Sequence, residues 1–285
     1  MTTPKLGEIS NFQTASKMKG ILTPMQDLTL TLIQSKLTWE NPCANQKHFE
    51  DLIEKNSSKT DLIVLPEMFS TGFSMQAHKL AQSMTGVTVK WLQKLSLQKG
   101  VDITGSVMIC EDGRYYNRLL WATSKGAMFT YDKKHLFRYA GEEKVYTPGI
   151  NYLTVTLNGW RIRPFICYDL RFPIWTRNLY HGYDLALFVA NWPAKRAAHW
   201  RLLLQSRAVE NLSYVAGINR IGYDGNLILY NGDSIVVNPE GIVLFDAKDQ
   251  ETIASVVLSA EKLKEYRHNF PALKDADTNM VKSHC

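Results

Sequence analysis

Three side chains with reactive chemistry, Glu67, Lys133 and Cys167, each stand at or just beyond the end of a strand-like run, at residues 62–65, 127–131 and 162–166. Strand ends are where open α/β sheets gather their sites. A thiol is a nucleophile once deprotonated, a carboxylate can take and return that proton, and an ammonium can meet negative charge developing on oxygen. Taken singly, each residue also has a plainer reading. Glu67 reads as a solvated carboxylate in a loop, and Lys133 as a surface lysine in a basic patch with Lys134. Cys167 reads as an inert thiol filling a small core space, because free cysteine is among the most buried residue types.

Periodicity defines the elements that must position these groups. Leu28–Gln34 alternates apolar and polar side chains as a strand does. Asn41 and Pro42 are good helix-start residues, and Phe49, Leu52 and Ile53 then share one helical face before the polar Asn56-Ser57-Ser58 break. Residues 62–65 form a continuous apolar run, expected to be a strand buried on both faces, that stops at Pro66-Glu67. A helix is expected over residues 85–99, stopped by Gly100, followed by strands at 101–109 and 115–123 joined across Asp112-Gly113. Lys125-Gly126 and Asn158-Gly159 mark further tight turns. Beyond them come strands at 162–167 and 184–191, a helix at 199–210, a strand at Tyr214–Asn219, a turn at Pro239-Glu240-Gly241 and a short helix from Ser259. The order implies a mixed sheet, not a pure βαβ alternation.

With 285 residues, 45% hydrophobic and 21% charged, the chain is long enough for one large α/β core. A formal charge of +6 could point to nucleic acid, but 33 basic residues are mixed with 27 acidic ones and form no stripe. The cysteines at 43, 110, 167 and 285 include no CxxC pair, which argues against a zinc site or a dense disulfide framework and for free thiols in a reducing compartment. No apolar stretch reaches the length of a membrane span or forms a signal-peptide core, so a soluble, cytoplasmic protein without nucleic-acid or membrane partners is expected. The sequons at Asn56 and Asn211 are then chance matches. Residues 1–26 lack a sustained period and are expected to be a poorly ordered leader before a single domain at 27–285. There is no HExxH, P-loop or GxGxxG, and Gly72-Phe73-Ser74-Met75-Gln76 departs from a nucleophile elbow where that motif needs its second glycine.

Local context joins the three reactive residues. The blocks Leu65-Pro66-Glu67-Met68-Phe69, Tyr131-Asp132-Lys133-Lys134-His135-Leu136-Phe137 and Ile166-Cys167-Tyr168-Asp169-Leu170-Arg171-Phe172-Pro173 stand in order. Asn191-Trp192-Pro193, His199-Trp200, Arg207-Ala208-Val209-Glu210-Asn211 and Gly232-Asp233-Ser234 follow. Together they resemble the nitrilase (carbon-nitrogen hydrolase) superfamily, and within it the bacterial omega-amidases, over residues 28–276. Lys133, not Lys134, matches the family lysine because it stands two residues before the histidine of K-x-H-L-F. Glu142 aligns with a second family carboxylate, with Glu143 as an adjacent competitor.

The resemblance implies a four-layer α-β-β-α sandwich and a triad of Glu67 as general base and acid, Lys133 as oxyanion stabiliser and Cys167 as nucleophile. The backbone N–H of Tyr168 would complete the oxyanion hole and Glu142 would support Lys133. The scheme uses no metal or organic cofactor, and His135 is a structural hydrogen-bonding residue in it. Implied substrates are 2-oxoglutaramate and 2-oxosuccinamate, whose distal carboxylate needs a cationic anchor. Arg171 and Arg196 are the candidates, each of which could instead be a structural ion-pair partner, and Trp192 and Phe73 would line the pocket unless they are simply core. Family members commonly pair through the layer holding the helix expected at residues 199–211, which implies at least a homodimer. Another nitrilase-type activity (aliphatic amidase, nitrilase or N-carbamoyl hydrolase) would use the same triad, and a non-catalytic binding protein would keep only the fold.

Overall fold

A computed structural model describes residues 24–56 and 58–277. The leader expected at residues 1–26 therefore lies outside the described residues up to residue 23. From there on the chain is docked: Gln26 N–H donates to Asn158 O at 3.2 Å, and Gln26 O accepts from the Trp160 indole.

In chain order the elements are β1 (Leu28–Gln34), α1 (Pro42–Lys55), β2 (Leu62–Val64), α2 (Ala77–Leu80), α3 (Val87–Lys99), β3 (Asp102–Glu111), β4 (Arg114–Ala122) and β5 (Met128–Asp132). There follow β6 (Val155–Leu157), β7 (Trp160–Ile166), α4 (Pro173–Thr176), β8 (Leu185–Ala190), α5 (Ala197–Asn211) and β9 (Tyr214–Asn219). The last are β10 (Ile221–Tyr223), β11 (Leu229–Asn231), β12 (Ile235–Val237), β13 (Val243–Asp246), β14 (Thr252–Leu258) and α6 (Ala260–Asn269).

They build two six-stranded sheets, ordered β14-β1-β2-β3-β4-β5 and β13-β12-β9-β8-β7-β6. The first is parallel across β1, β2 and β3, the second across β7, β8 and β9, and every other ladder within them is antiparallel. Parallel neighbours need long crossovers. Helices α1, α3 and α5 supply three of them.

The period of two along each strand sorts side chains between two cores. Leu30 and Leu32 of β1, Leu62 and Val64 of β2, and Leu119 and Trp121 of β4 join the core shared with the second sheet. Their neighbours Ile33, Ile63, Leu120 and Ala122 face the other way, against Phe49 and Ile53 of α1 and Val89, Leu92 and Leu95 of α3. On the second sheet, Trp200, Leu204 and Ala208 of α5 cover the strands. Gly217 on β9 allows that close approach, because a Cβ there would lie 2.4 Å from Leu204 Cδ1. The result is the expected four-layer α-β-β-α sandwich.

Local signals fix the boundaries. The Asn41 side chain accepts from Ala44 N at 3.1 Å and Pro42 opens α1, while Gly100 ends α3 with φ 64°. Helix α3 starts at Val87, not at residue 85, and its free Thr88 N–H is satisfied from outside by Gln82 Oε1 at 2.8 Å.

Candidate active site

Glu67 follows β2 after Leu65-Pro66, Lys133 follows β5, Cys167 follows β7 and Asn191 follows β8. Two of these strands belong to each sheet, so the groups converge where the facing sheets meet. The turn after β7 is tight: Cys167 has φ 43°, a left-handed conformation unusual for a non-glycine residue. Such strain persists only where the surroundings over-determine it. Asp169, fully buried, provides that constraint. It accepts from Ile166 N (3.0 Å), Tyr131 OH (2.7 Å) and His135 N (2.9 Å), and it pairs with His135 Nδ1 at 2.9 Å. One carboxylate thus ties the cysteine turn to the segment carrying Lys133, and His135 has the hydrogen-bonding role expected of it. The His135 ring also stacks on Phe172, with centroids 3.7 Å apart.

Lys133 is 1% exposed and lies between two carboxylates that are each 0% exposed. Its Nζ donates to Glu67 Oε1 at 2.8 Å and to Glu142 Oε1 and Oε2 at 3.0 and 2.9 Å. Glu142, not Glu143, occupies the cluster, and Phe137 N–H also donates to its Oε2 at 2.6 Å. Burial alone would lower the Lys133 ammonium, but the charges of Glu142 and Glu67 outweigh it and hold it above its usual range. Burial pushes the Glu142 carboxyl up, against the pull of Lys133.

The Cys167 thiol is 9% exposed, and its Sγ donates to Asn191 O at 3.8 Å. Burial raises it well above the ordinary thiol value, and the charge of Glu67 adds to this while Lys133 opposes it. The resting Cys167 side chain is therefore a protonated thiol beside a carboxylate.

Two asparagines to which the sequence assigns no role complete the site. Asn191 N–H donates to Glu67 Oε2 at 2.8 Å, and its Nδ2 donates to Glu67 O at 2.6 Å. Asn117, on β4, donates to Glu67 Oε1 at 2.8 Å and to Glu142 Oε1 at 3.2 Å. No local pattern marks Asn117, whose contacts lie 50 and 25 residues away along the chain.

Of the expected pocket residues, Phe73 lies directly against this cluster. The Phe73 ring centroid lies 5.1 Å from Lys133 Nζ. Tyr168, next to the cysteine, packs its ring on Phe137 and Phe172. Trp192 is 3% exposed and sits against Trp200, its indole N–H donating to Arg196 O at 2.8 Å. The Arg171 guanidinium lies 5.0 Å from the Trp192 ring and contacts His199 Nδ1 at 2.9 Å. That of Arg196 lies 5.3 Å from Phe137 and 5.8 Å from Tyr139. Among the described residues neither arginine has a carboxylate partner, so the structural ion-pair reading does not apply to them there. No group of three or more His, Cys, Asp or Glu side chains among the described residues could hold a metal ion.

A nucleophilic thiol, an acceptor carboxylate and a fixed cation in one dry cluster can carry out acyl transfer. Comparison with known proteins points to the same chemistry. The chain is 46% identical to the omega-amidase YafV of Escherichia coli strain K12, covering 89% of this chain and 98% of that one. It is 32% identical to the 2-oxoglutaramate amidase of Bacillus subtilis strain 168, over 87% of this chain and 96% of the other. Among solved structures, XC1258 from Xanthomonas campestris, a CN-hydrolase superfamily protein with an arsenic adduct in its active site, superposes with a TM-score of 0.87 at 43% identity, covering 89% and 98% of the two chains. Saccharomyces cerevisiae Nit3, of branch 10 of the nitrilase superfamily, does so with a TM-score of 0.78 at 25% identity over 90% and 97%. Residues 29–268 match the carbon-nitrogen hydrolase family, and the chain belongs to that family.

Proposed function

We propose that this chain is a cysteine-dependent omega-amidase, hydrolysing the terminal amide of small 2-oxo dicarboxylic acid monoamides such as 2-oxoglutaramate and 2-oxosuccinamate. The observation that carries the reading is the burial of Glu67, Lys133 and the Cys167 thiol in one hydrogen-bonded cluster. Identity to omega-amidase and 2-oxoglutaramate amidase relatives supports the substrate class.

In this reading Glu67 takes the thiol proton as sulfur attacks the amide carbon. The oxyanion forms against Lys133 Nζ and the Tyr168 N–H. Glu67 returns the proton to the departing ammonia, leaving a thioester. Water, deprotonated by Glu67, attacks the thioester carbon, the carbon–sulfur bond breaks to release the acid, and Glu67 returns the proton to the Cys167 sulfur. Glu142 keeps Lys133 charged and in place. Arg171 or Arg196 holds the distal carboxylate of the substrate, with Trp192 and Phe73 beside it.

Cys43, Cys110 and Cys167 are free thiols, which supports a cytoplasmic setting, and among the described residues no helix is long and apolar enough to cross a membrane. The chain pairs at least into a homodimer through the outer face of α5, where Leu202 is 63% and Val209 48% exposed beside Ile242 at 56%. Light scattering on the purified chain tests the pairing, and a monomeric mass removes it.

The deciding assay is ammonia release from 2-oxoglutaramate, compared with glutamine and asparagine. Turnover should be confined to the 2-oxo acid amide and lost in Cys167→Ala. A chain active on glutamine but silent on 2-oxoglutaramate contradicts the substrate assignment.

A further inference from the structure

Lys133 Nζ donates to Glu67 Oε1 at 2.8 Å and to the two oxygens of Glu142 at 3.0 and 2.9 Å, so its protons are directed mainly at the two carboxylates. As the ammonium turns toward a substrate oxyanion, its hydrogen bonds to these buried carboxylate oxygens weaken. For Glu142, which stays charged through the cycle, a weakened donor is costly, because hydrogen bonds to charged groups are the strong ones.

Asn117 is fully buried, and its Nδ2 donates to two of the same oxygens, Glu67 Oε1 at 2.8 Å and Glu142 Oε1 at 3.2 Å. The amide cannot turn round. Met68 N–H donates to Ser106 Oγ at 2.8 Å, which leaves the hydroxyl proton of Ser106 for Asn117 Oδ1, also at 2.8 Å. With Oδ1 held there, both Nδ2 protons face the carboxylates. A flipped amide would set its oxygen against two carboxylate oxygens.

We propose that Asn117, oriented by Ser106, is a positioning residue that keeps Glu67 Oε1 and Glu142 Oε1 hydrogen-bonded while Lys133 shifts a donor onto the oxyanion. The idea rests on the reading of Lys133 as oxyanion donor. Asn117 already donates to both oxygens in the resting site, but its bonds matter most once Lys133 turns to the substrate oxygen, so its loss is expected mainly in the chemical step and not in substrate binding.

The test is steady-state turnover of 2-oxoglutaramate by Asn117→Ala, Asn117→Asp, Ser106→Ala and the Asn117→Ala/Ser106→Ala double variant. In Asn117→Ala, kcat should fall roughly 10- to 100-fold, as expected for a hydrogen bond to a charged group, with KM within about twofold of wild type. Ser106→Ala should lose less, in kcat again, and the double variant should be no worse than Asn117→Ala, since both act through one amide. The isosteric Asn117→Asp separates donation from space filling. It should be at least as impaired as Asn117→Ala near neutral pH and regain activity as the medium is acidified, when the new carboxyl takes up a proton.

Wild-type kcat in Asn117→Ala, a change confined to KM, additive losses in the double variant, or an Asn117→Asp milder than Asn117→Ala at neutral pH would each overturn the proposal. Should Asn117→Asp fail to fold by circular dichroism, the alanine cycle alone decides. If Cys167→Ala keeps wild-type turnover the underlying mechanism fails. If turnover needs Cys167 and Lys133 yet ignores Asn117, only this inference does.

Discussion

The protonation state of Cys167 is the most direct consequence of the site's electrostatics. An ordinary thiol, with a pKa near 8.5, is about 3% thiolate at pH 7. Burial moves Cys167 upward from its ordinary value, the carboxylate of Glu67 moves it further, and Lys133 offsets only part of this. Each unit upward removes another factor of ten, so the resting enzyme should carry well under about 3% thiolate at pH 7. The ultraviolet difference spectrum between wild type and Cys167→Ala, followed during pH titration, reads this directly. It should show no thiolate band until the pH is well above about 8.5. Replacing Glu67 by Gln separates equilibrium from catalysis. It removes one opposing charge, so the thiolate band should appear at lower pH than in wild type, yet turnover should fall by about 10²-fold or more because the base is gone. A Cys167-dependent thiolate band below pH 7 in wild type would refute the argument, since it would mean that Lys133 outweighs burial and Glu67 together.

Arg171→Ala or Arg196→Ala should raise KM for 2-oxoglutaramate by roughly 10-fold while sparing a simple aliphatic amide; unchanged kinetics remove that arginine from the anchor role. Asp184, 4% exposed on its side chain, pairs with Arg161 and Arg267, so Asp184→Asn should cost about 3 kcal/mol in denaturant unfolding. Burial alone would raise its carboxyl, but Arg161 and Arg267 hold it below the usual range, so the stabilisation is present above about pH 4 and lost as pH falls through the native value. The gap between the two proteins should narrow on acidification, and a constant gap from pH 7 to pH 3 would contradict the pairing.

The sequence made the strand ends and the three motif residues legible because each is a local signal: an apolar run, a Pro or Gly stop, a reactive side chain just beyond. Leu28–Gln34 and Tyr214–Asn219 fall where the alternation and the apolar run place them. Boundaries shifted where a local rule met a competing contact. Residue 167 was read as the end of a strand, but β7 stops at Ile166 because Cys167 turns into the left-handed region. What was not legible depends on separation along the chain. The pairing of β14 with β1 joins Leu28 to Leu258, and nothing in either segment specifies the other. Asn117 carries no motif of its own and reaches Glu67 through the pairing of β2, β3 and β4, while Asn191, although inside the Asn191-Trp192-Pro193 block, reaches Glu67 only because the two sheets face each other. Between Glu142 and Glu143 sequence alone had no physical discriminator, whereas the fold buries the first against Lys133 and leaves Oε2 of the second buried without a hydrogen-bond partner.

The cluster also explains why a lysine, and not a neutral donor, stands between the carboxylates. Counting Lys133 as ammonium and Glu67 and Glu142 as carboxylates, the resting site holds one negative charge in excess. In the proposed cycle Glu67 becomes neutral as the oxyanion forms, so the excess stays the same and only moves, by a few ångströms, within reach of Lys133. A dry site favours such relocation over any change in total charge. Lys133→Met tests this, because it leaves two buried carboxylates with no cation. Turnover should fall by about 10²-fold or more. The fold should respond through proton uptake. Glu142, already pushed up by burial, loses the pull of Lys133 and is raised further, so the variant gains stability by binding a proton at low pH and loses it as pH rises through that value. The melting temperature of Lys133→Met should therefore lie close to wild type near pH 5 and fall progressively behind toward pH 8. A gap that stays constant over that range would mean that the carboxylates are not coupled through Lys133.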